Sequence, residues 1–313
     1  MSTATDSPAT SRRPARPAPE TERAQPAARA EIRRVGVVGC GVMGAGLAEV
    51  CGRAGRDVLV AASGPEGLAR GRARLERSLT TGLRRGKLSE EDRDEALARI
   101  RFTTDLAELG DRQLVLEAAP EHEATKLRLF EALDEAVGDP DAILATNTSA
   151  LSVMRLARAT ARPGRVLGLH FFNPAPVLGL VEVVSSLLTE DDTRNRAEDF
   201  VTGVLGKHAV HVGDRSGFVV NALLVPYLLS AIRMYEAGYA DAENIDKAMM
   251  LGCSHPMGPL ALADLIGLDT VAAIGTALYE EFKEPAHAVP PLLSRMVDGG
   301  LLGRKTGRGF HTY

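Results

Sequence analysis

Short apolar runs recur through the first two thirds of the chain, and stretches with helical spacing separate them. Arg34–Val38 reads as a buried strand and Asp57–Ala61 as a second. The same signature returns at 112–120, 141–149, 165–174 and 179–184, with helical segments interposed. Strands that alternate with helices predict an α/β fold, a Rossmann-type doubly wound sheet. Between the second and third of these runs lies a long charged stretch, 65–100, whose pattern predicts a helical hairpin turning near 82–87. After about Gly213 the strand signals stop, and "FVVNALLVPYLLSAIRMYEAG" and "AENIDKAMMLG" predict helices. A chain of 313 residues exceeds a single core at roughly 150 residues per domain, so two folded units are expected.

The first 30 residues break this pattern: Pro8, Pro14, Pro17, Pro19 and Pro26 stand among small and charged residues, with almost no large apolar side chain. Such a segment cannot offset the entropy of ordering and reads as a disordered tail, 1–30. It lacks the continuous apolar core of a secretory signal, and Glu20, Glu22 and the prolines argue against an amphipathic transit peptide. No apolar run approaches the ~20 residues that span a bilayer. A cytoplasmic location without a membrane partner is the default expectation. The formal net charge of −4 gives no excess of positive charge for a nucleic-acid partner. Cys40, Cys51 and Cys253 show neither paired spacing nor an even count, so buried reduced thiols are expected and no metal site.

Gly39-Cys40-Gly41-Val42-Met43-Gly44 follows the first strand directly and opens a helical stretch. In that context Gly39 permits a tight turn, Gly41 lets a pyrophosphate approach the backbone, and Gly44 lets the helix pack closely on the strand. Free N–H groups at the helix N-terminus then hold the phosphates. The alternative is a purely structural turn. One element is absent: where such a unit carries an acid at the end of its second strand, this chain has Ala61 and Ala62 followed by Ser63 and Gly64.

His170 ends a buried strand just before "FFNP", at the strand end where open α/β sheets bind ligands. Twelve residues on, Glu182 lies inside the apolar run "LVEVV", where a carboxylate is costly unless paired. A Glu–His couple explains both, the carboxylate orienting an imidazole that takes a proton near neutral pH. A satisfied structural histidine is the plainer reading. "ATNTSAL" places Asn147, Thr148 and Ser149 at another strand end, where they suit a substrate oxygen or cap the next helix through Thr148 or Ser149. Asn221, in an apolar helix, reads as a buried amide in need of partners.

The segments "GVVGCGVMGAGLAE", "EAAPEHEATK", "TNTSAL", "LGLHFFNPAPV", "LVEVV", "DRSGFVVNALLVPYL", "DKAMMLGCSHPMGPL" and "GRKTGRGFHTY" together resemble the L-3-hydroxyacyl-CoA dehydrogenase family, and within it the bacterial 3-hydroxybutyryl-CoA dehydrogenases. The resemblance implies a dinucleotide-binding domain, 31–212, with the 65–100 insertion as an acyl-CoA arm, and an all-helical domain, 213–313, that forms a homodimer. It implies oxidation of an L-3-hydroxyacyl thioester, with His170 as base, Glu182 as its orienting partner, and Ser149 and Asn221 on the reacting substrate. Gly39, Gly41, Val42, Met43, Gly44, Ala62, Glu121, Lys126, Ser149, Asn173 and Lys305 fall at its cofactor positions, and Ser78, Arg85 and Ser149 at its substrate positions.

Arg70, Arg72, Arg74, Arg77, Arg84, Arg85 and Lys87 make the insertion a positive arm suited to the phosphates of coenzyme A, or a solvated face with pairs such as Arg72 and Glu76. With Ala62 in the place of the acid, the cofactor is NAD or NADP, and Ser63, Gly64 and Arg70 are candidates for a 2'-phosphate. The rival readings are a hydroxyacyl-carrier-protein or sugar-acid dehydrogenase on the same scaffold, and a dinucleotide-binding protein without catalysis.

Overall fold

The computed structural model describes residues 31–313, and the expected tail at 1–30 lies outside them. Eight strands join in one sheet, in the order β3-β2-β1-β4-β5-β6-β7-β8. They are β1 (Arg34–Val38), β2 (Asp57–Ala61), β3 (Ile100–Thr103), β4 (Leu114–Glu117), β5 (Ile143–Thr146), β6 (Val166–Phe171), β7 (Leu180–Ser185) and β8 (His208–Gly213). From β3 across to β6 every pairing is parallel; β7 then runs antiparallel to β6 and parallel to β8. The order reverses beside β1, which opens a crevice beyond the carboxyl ends of β1 and β4.

Helices α1 (Val42–Arg53), α2 (Pro65–Arg84), α3 (Glu90–Ala98), α4 (Glu123–Ala136), α5 (Val153–Arg158) and α6 (Asp191–Asp199) accompany the sheet. Successive strand residues point to opposite faces, so one continuous apolar run feeds two cores. Val35 and Val37 of β1 join Leu47 of α1 and Leu75 and Leu79 of α2 on one face. Val38, Val115 and Leu144 join Phe130 and Leu133 of α4 and Leu156 of α5 on the other. A third core lies among α7 (Val220–Glu236), α8 (Ala242–Gly252), α9 (Pro259–Ile266), α10 (Leu268–Phe282) and α11 (Pro291–Asp298), around Leu228, Leu260 and Val271. Backbone contacts group Ile32–Tyr313 as one compact unit. Among the described residues no single helix is long and apolar enough to cross a membrane.

The expected strands and the helical hairpin are present, the latter as α2 and α3 with a turn between Arg85 and Ser89. Two strands were not expected. β3 has four residues and follows α3 with a single residue between them, so helical spacing masks it. β8 is an edge strand whose residues are exposed or half-buried, and it therefore needs no apolar run. Neither Thr148 nor Ser149 caps the following helix: α5 starts later, and the Ser152 side chain accepts from the Arg155 N–H. Arg72 does not pair with Glu76 but lies over the Phe102 ring, 5.2 Å from its centroid. All three cysteines are free, but Cys253 is exposed, which corrects the expectation of three buried thiols. Asn221 is half-buried, not buried.

The glycines of the first turn are unequal. Gly39 adopts φ +95°, and a Cβ on Gly44 would stand 1.8 Å from the Gly39 carbonyl oxygen, which belongs to rigid backbone. A Cβ on Gly41 would meet nothing within 4 Å. Gly44→Ala should therefore cost about 1–3 kcal/mol of stability, and Gly41→Ala no more than about 0.5 kcal/mol. Urea unfolding of the two variants checks this; equal midpoints would contradict the assigned packing.

Candidate active site

At the end of β1 the chain turns through Gly39, whose N–H donates to the Ala61 carbonyl at 2.9 Å, and enters α1 from Gly41. No side chain caps this helix and no acid occupies its first turn, so its leading N–H groups and positive dipole end face outward. They face a cavity of about 860 Å³ bordered by Gly39, Gly41, Val42, Met43 and Ala62. Gly41 is where a side chain would enter that space, so the turn fits a pyrophosphate against bare backbone. Cys40 closes the turn from behind: its thiol donates to the Gly67 carbonyl at 3.0 Å, and burial pushes its pKa up. Gly71 of α2 packs so tightly on Cys40 that a Cβ there would come within 2.5 Å of the Cys40 Cβ.

The second constellation sits at the ends of β5 and β6. His170 and Glu182 are register partners across the β6–β7 pair, both on buried stretches of sheet. The imidazole Nδ1 and the Glu182 Oε2 are 2.7 Å apart. Because a carboxylate only accepts, Nδ1 carries the proton and Nε2 is left with its lone pair. Glu182 Oε1 accepts two further hydrogen bonds, from the Val219 N–H at 3.0 Å and the Val220 N–H at 2.9 Å. These three bonds compensate a carboxylate with no solvent exposure. Nε2 meets the Ser149 hydroxyl at 3.1 Å, and Phe172 and Phe218 flank the ring at centroid distances of 4.6 and 5.4 Å.

Ser149 is itself held in place. Its N–H donates to Glu121 at 2.9 Å, and the Thr148 hydroxyl donates to the same carboxylate oxygen. The Lys126 ammonium lies between Glu121, 2.9 Å away, and the fully buried Glu117, 3.0 Å away. Burial works to raise the Glu121 pKa, but Lys126 and the Thr148 and Ser149 donors outweigh it and hold the carboxyl below its ordinary range. Glu117 in turn accepts from the Thr146 hydroxyl at 2.7 Å and the Ala119 N–H at 2.6 Å. One ionic network thus fixes the ends of β4 and β5, and with them the serine.

Ser149, His170 and Glu182 are brought together as a single hydrogen-bonded chain. Asn221 follows Val220 at the head of α7, and among the described residues its amide has no hydrogen-bond partner. Ser78 and Arg85 border a second cleft of about 750 Å³ with Glu49, Arg53 and Arg77, while Asn173 borders an adjoining one. Burial raises the Glu49 pKa, partly countered by the Ser78 hydroxyl and Arg53. The structure does not bring Glu121 or Lys126 onto the wall of the large cavity; they lie in the ionic network, with Lys126 almost fully buried. Lys305 is not on that wall either, and pairs with Asp269. Glu117, Thr146, Phe172 and Phe218 were not expected at the site. Glu117 carries the signal that picked out Glu182, a carboxylate inside an apolar run.

Residues 34–215 match the model of the 3-hydroxyacyl-CoA dehydrogenase NAD binding domain, and 217–313 that of the 3-hydroxyacyl-CoA dehydrogenase C-terminal domain. A 3-hydroxybutyryl-CoA dehydrogenase of Mycobacterium tuberculosis is 57% identical over 90% of this chain and 99% of its own length. The human mitochondrial hydroxyacyl-coenzyme A dehydrogenase is 40% identical over 90% of this chain and 91% of its own length. Among solved structures, FadB2 of M. tuberculosis superposes with a TM-score of 0.90 at 57% identity, covering 91% of this chain and all of that one (100%). The (S)-3-hydroxybutyryl-CoA dehydrogenase PaaH1 of Ralstonia eutropha superposes at 0.85 with 42% identity, over 90% and 99% of the two chains. By sequence and by fold, the chain belongs to the 3-hydroxyacyl-CoA dehydrogenase family.

Proposed function

We propose that the protein interconverts a short-chain L-3-hydroxyacyl-CoA, with 3-hydroxybutyryl-CoA as the leading candidate, and the corresponding 3-oxoacyl-CoA. The observation that carries this reading is the Ser149–His170–Glu182 chain, set at the same sheet edge as a phosphate-binding turn. A nicotinamide cofactor held at the Gly39–Gly44 turn would supply the hydride acceptor, or donor, for C3 of the hydroxyacyl group. His170 Nε2 takes the 3-hydroxyl proton as that hydride leaves. Glu182 holds the opposite ring nitrogen and stabilises the resulting cation. The Ser149 hydroxyl and the Asn221 amide position the reacting oxygens, and in the reverse direction protonated His170 returns its proton to the 3-oxo oxygen. With Ala62 directly after β2, both NAD and NADP are admissible. The proposed location is the cytoplasm.

Coenzyme A is the proposed acyl carrier because Arg53, Arg77 and Arg85 converge with Ser78 on one cleft, which suits the phosphates of a nucleotide tail. A hydroxyacyl-carrier-protein substrate would need no such cleft. A homodimer is proposed because the helical part exposes large apolar side chains in the single chain: Leu223 (72%), Tyr239 (81%) and Leu251 (75%).

Acetoacetyl-CoA with reduced cofactor, followed by absorbance, should show oxidation of the cofactor; no turnover with either NADH or NADPH would refute the enzyme reading. His170→Gln should lower kcat by about 10²–10⁴ with little change in cofactor affinity. Glu182→Gln separates two roles of one carboxylate. Its remaining oxygen keeps the Val219 and Val220 donors, and its amide then faces Nδ1, which places the ring proton on Nε2 and leaves no base. A folded variant with kcat down by a similar factor and unchanged thermal unfolding is expected; full activity would detach Glu182 from the chemistry. Arg85→Ala should raise KM for acetoacetyl-CoA by roughly tenfold or more while leaving KM for acetoacetyl-pantetheine unaltered; equal effects on both would argue against the nucleotide tail in this cleft. Sedimentation should give a dimer that Leu251→Asp weakens, and a monomer in the unmodified protein would remove the helical interface.

A further inference from the structure

Ala62 is the only residue between β2 and Ser63, it is almost fully buried, and it borders the cofactor cavity. In a dinucleotide-binding unit this corner decides between a ribose hydroxyl and a 2'-phosphate, because a carboxylate there accepts from the hydroxyls and repels the phosphate. Removal of the acid alone would only weaken NAD. The cavity wall goes further: its lining holds three arginines, Arg70, Arg74 and Arg128, and no Asp or Glu among the described residues.

From this wall we infer that Ser63, Arg70 and Arg74 form a site for the adenosine 2'-phosphate and make the protein prefer NADP to NAD. The inference rests on the nicotinamide-cofactor reading above. Ser63 immediately precedes the Gly64 N-cap of α2, and among the described residues its hydroxyl has no hydrogen-bond partner. The 20-residue helix starts without a side-chain cap, but Pro65 at its head has no N–H and Glu66 stands in its first turn, so the positive charge at the corner comes from the arginines. Gly67 lies beside the corner, where a Cβ would stand in ordinary contact, 3.7 Å from the Ser63 hydroxyl and 3.9 Å from the Ala62 Cβ.

Arg70 and Arg74 are one turn apart on the helix, and both border the cavity. Neither is committed elsewhere by a strong contact. Arg70 pairs with Glu66 at 3.3 Å, but both side chains are largely exposed, so the pair is weak and yields to a phosphate. Arg74 makes a long bond of 3.4 Å to the Cys40 carbonyl. The next residues of α2 turn to different work, since Arg77 and Ser78 border the second cleft. Glu66 is the nearest acid in sequence, yet it is not part of the cavity wall.

The test is direct binding, by calorimetry on the full chain, of NADPH and NADH, and of 2',5'-ADP and 5'-ADP, which differ only in the phosphate at issue. NADPH and 2',5'-ADP should each bind about tenfold or more tighter than their partners, as charge-assisted bonds to guanidinium groups provide. Arg70→Ala and Arg74→Ala should each reduce the NADPH-to-NADH affinity ratio several-fold, and Ala62→Asp should reverse it. NADH binding as well as NADPH in the unmodified protein, or either arginine variant keeping the full ratio, overturns the 2'-phosphate site. NADH binding and turnover without that preference would leave the dehydrogenase reading intact. Failure to bind either dinucleotide would overturn both.

Discussion

A carboxylate without solvent exposure in the middle of a sheet must have its charge met by donors, and Glu182 meets that condition by joining three parts of the molecule. It accepts from His170 on β6 and from the Val219 and Val220 N–H groups where the helical part begins. The one reversal of direction in an otherwise parallel sheet makes the first of these bonds possible. With β7 antiparallel to β6, Glu182 falls opposite His170 in register, although twelve residues separate them. The same bonds pin the head of α7, so Asn221, the next residue, is set in a fixed relation to the imidazole. Phe218, which flanks that ring, takes a positive φ of 49°, a conformation that bulky residues rarely adopt unless the surrounding structure imposes it.

The Lys126 network supports the other end of the chain in the same way. Lys126 is almost fully buried between Glu117 and Glu121, and through Glu121 its charge reaches the Ser149 N–H. The serine hydroxyl is then free to turn toward Nε2, because its loop is held by the backbone and by Thr148. Glu121 and Lys126, expected at the cofactor, hold the Ser149 loop in place.

Much of this was legible in the chain. Strands buried on both faces must be apolar throughout, so β1, β2, β4, β5, β6 and β7 stand out as runs, and the Gly39–Gly44 motif could be placed at the end of one of them. The buried polar residues His170 and Glu182 were legible for the complementary reason, as interruptions whose cost demands a partner. What escaped was structure that burial does not specify. β8 lies at the sheet edge with its residues exposed or half-buried, and β3 is too short to separate from the helix before it. Asn221 reads as buried because its neighbours are apolar, but helical position turns it partly outward. Arg72 was legible as a charge but not as a stacking partner of Phe102, since that contact depends on how the hairpin lies over β3.

A serine, an imidazole and a carboxylate in one hydrogen-bonded chain also make up the machinery of acyl-transfer enzymes, so the constellation does not name the reaction. What separates the two chemistries is the setting. A nucleophilic serine commonly draws its oxyanion site from free N–H groups beside it, and here the Ser149 N–H is already taken by Glu121, while those of Ala150 and Leu151 donate to Thr148. The free N–H groups of this sheet edge lie instead at the head of α1, beside a cavity sized for a dinucleotide. This setting supports the proposed reading, in which His170 moves a proton, no acyl intermediate forms, and the serine serves as a positioned hydroxyl. The chemistry follows from which backbone donors the fold leaves unpaired.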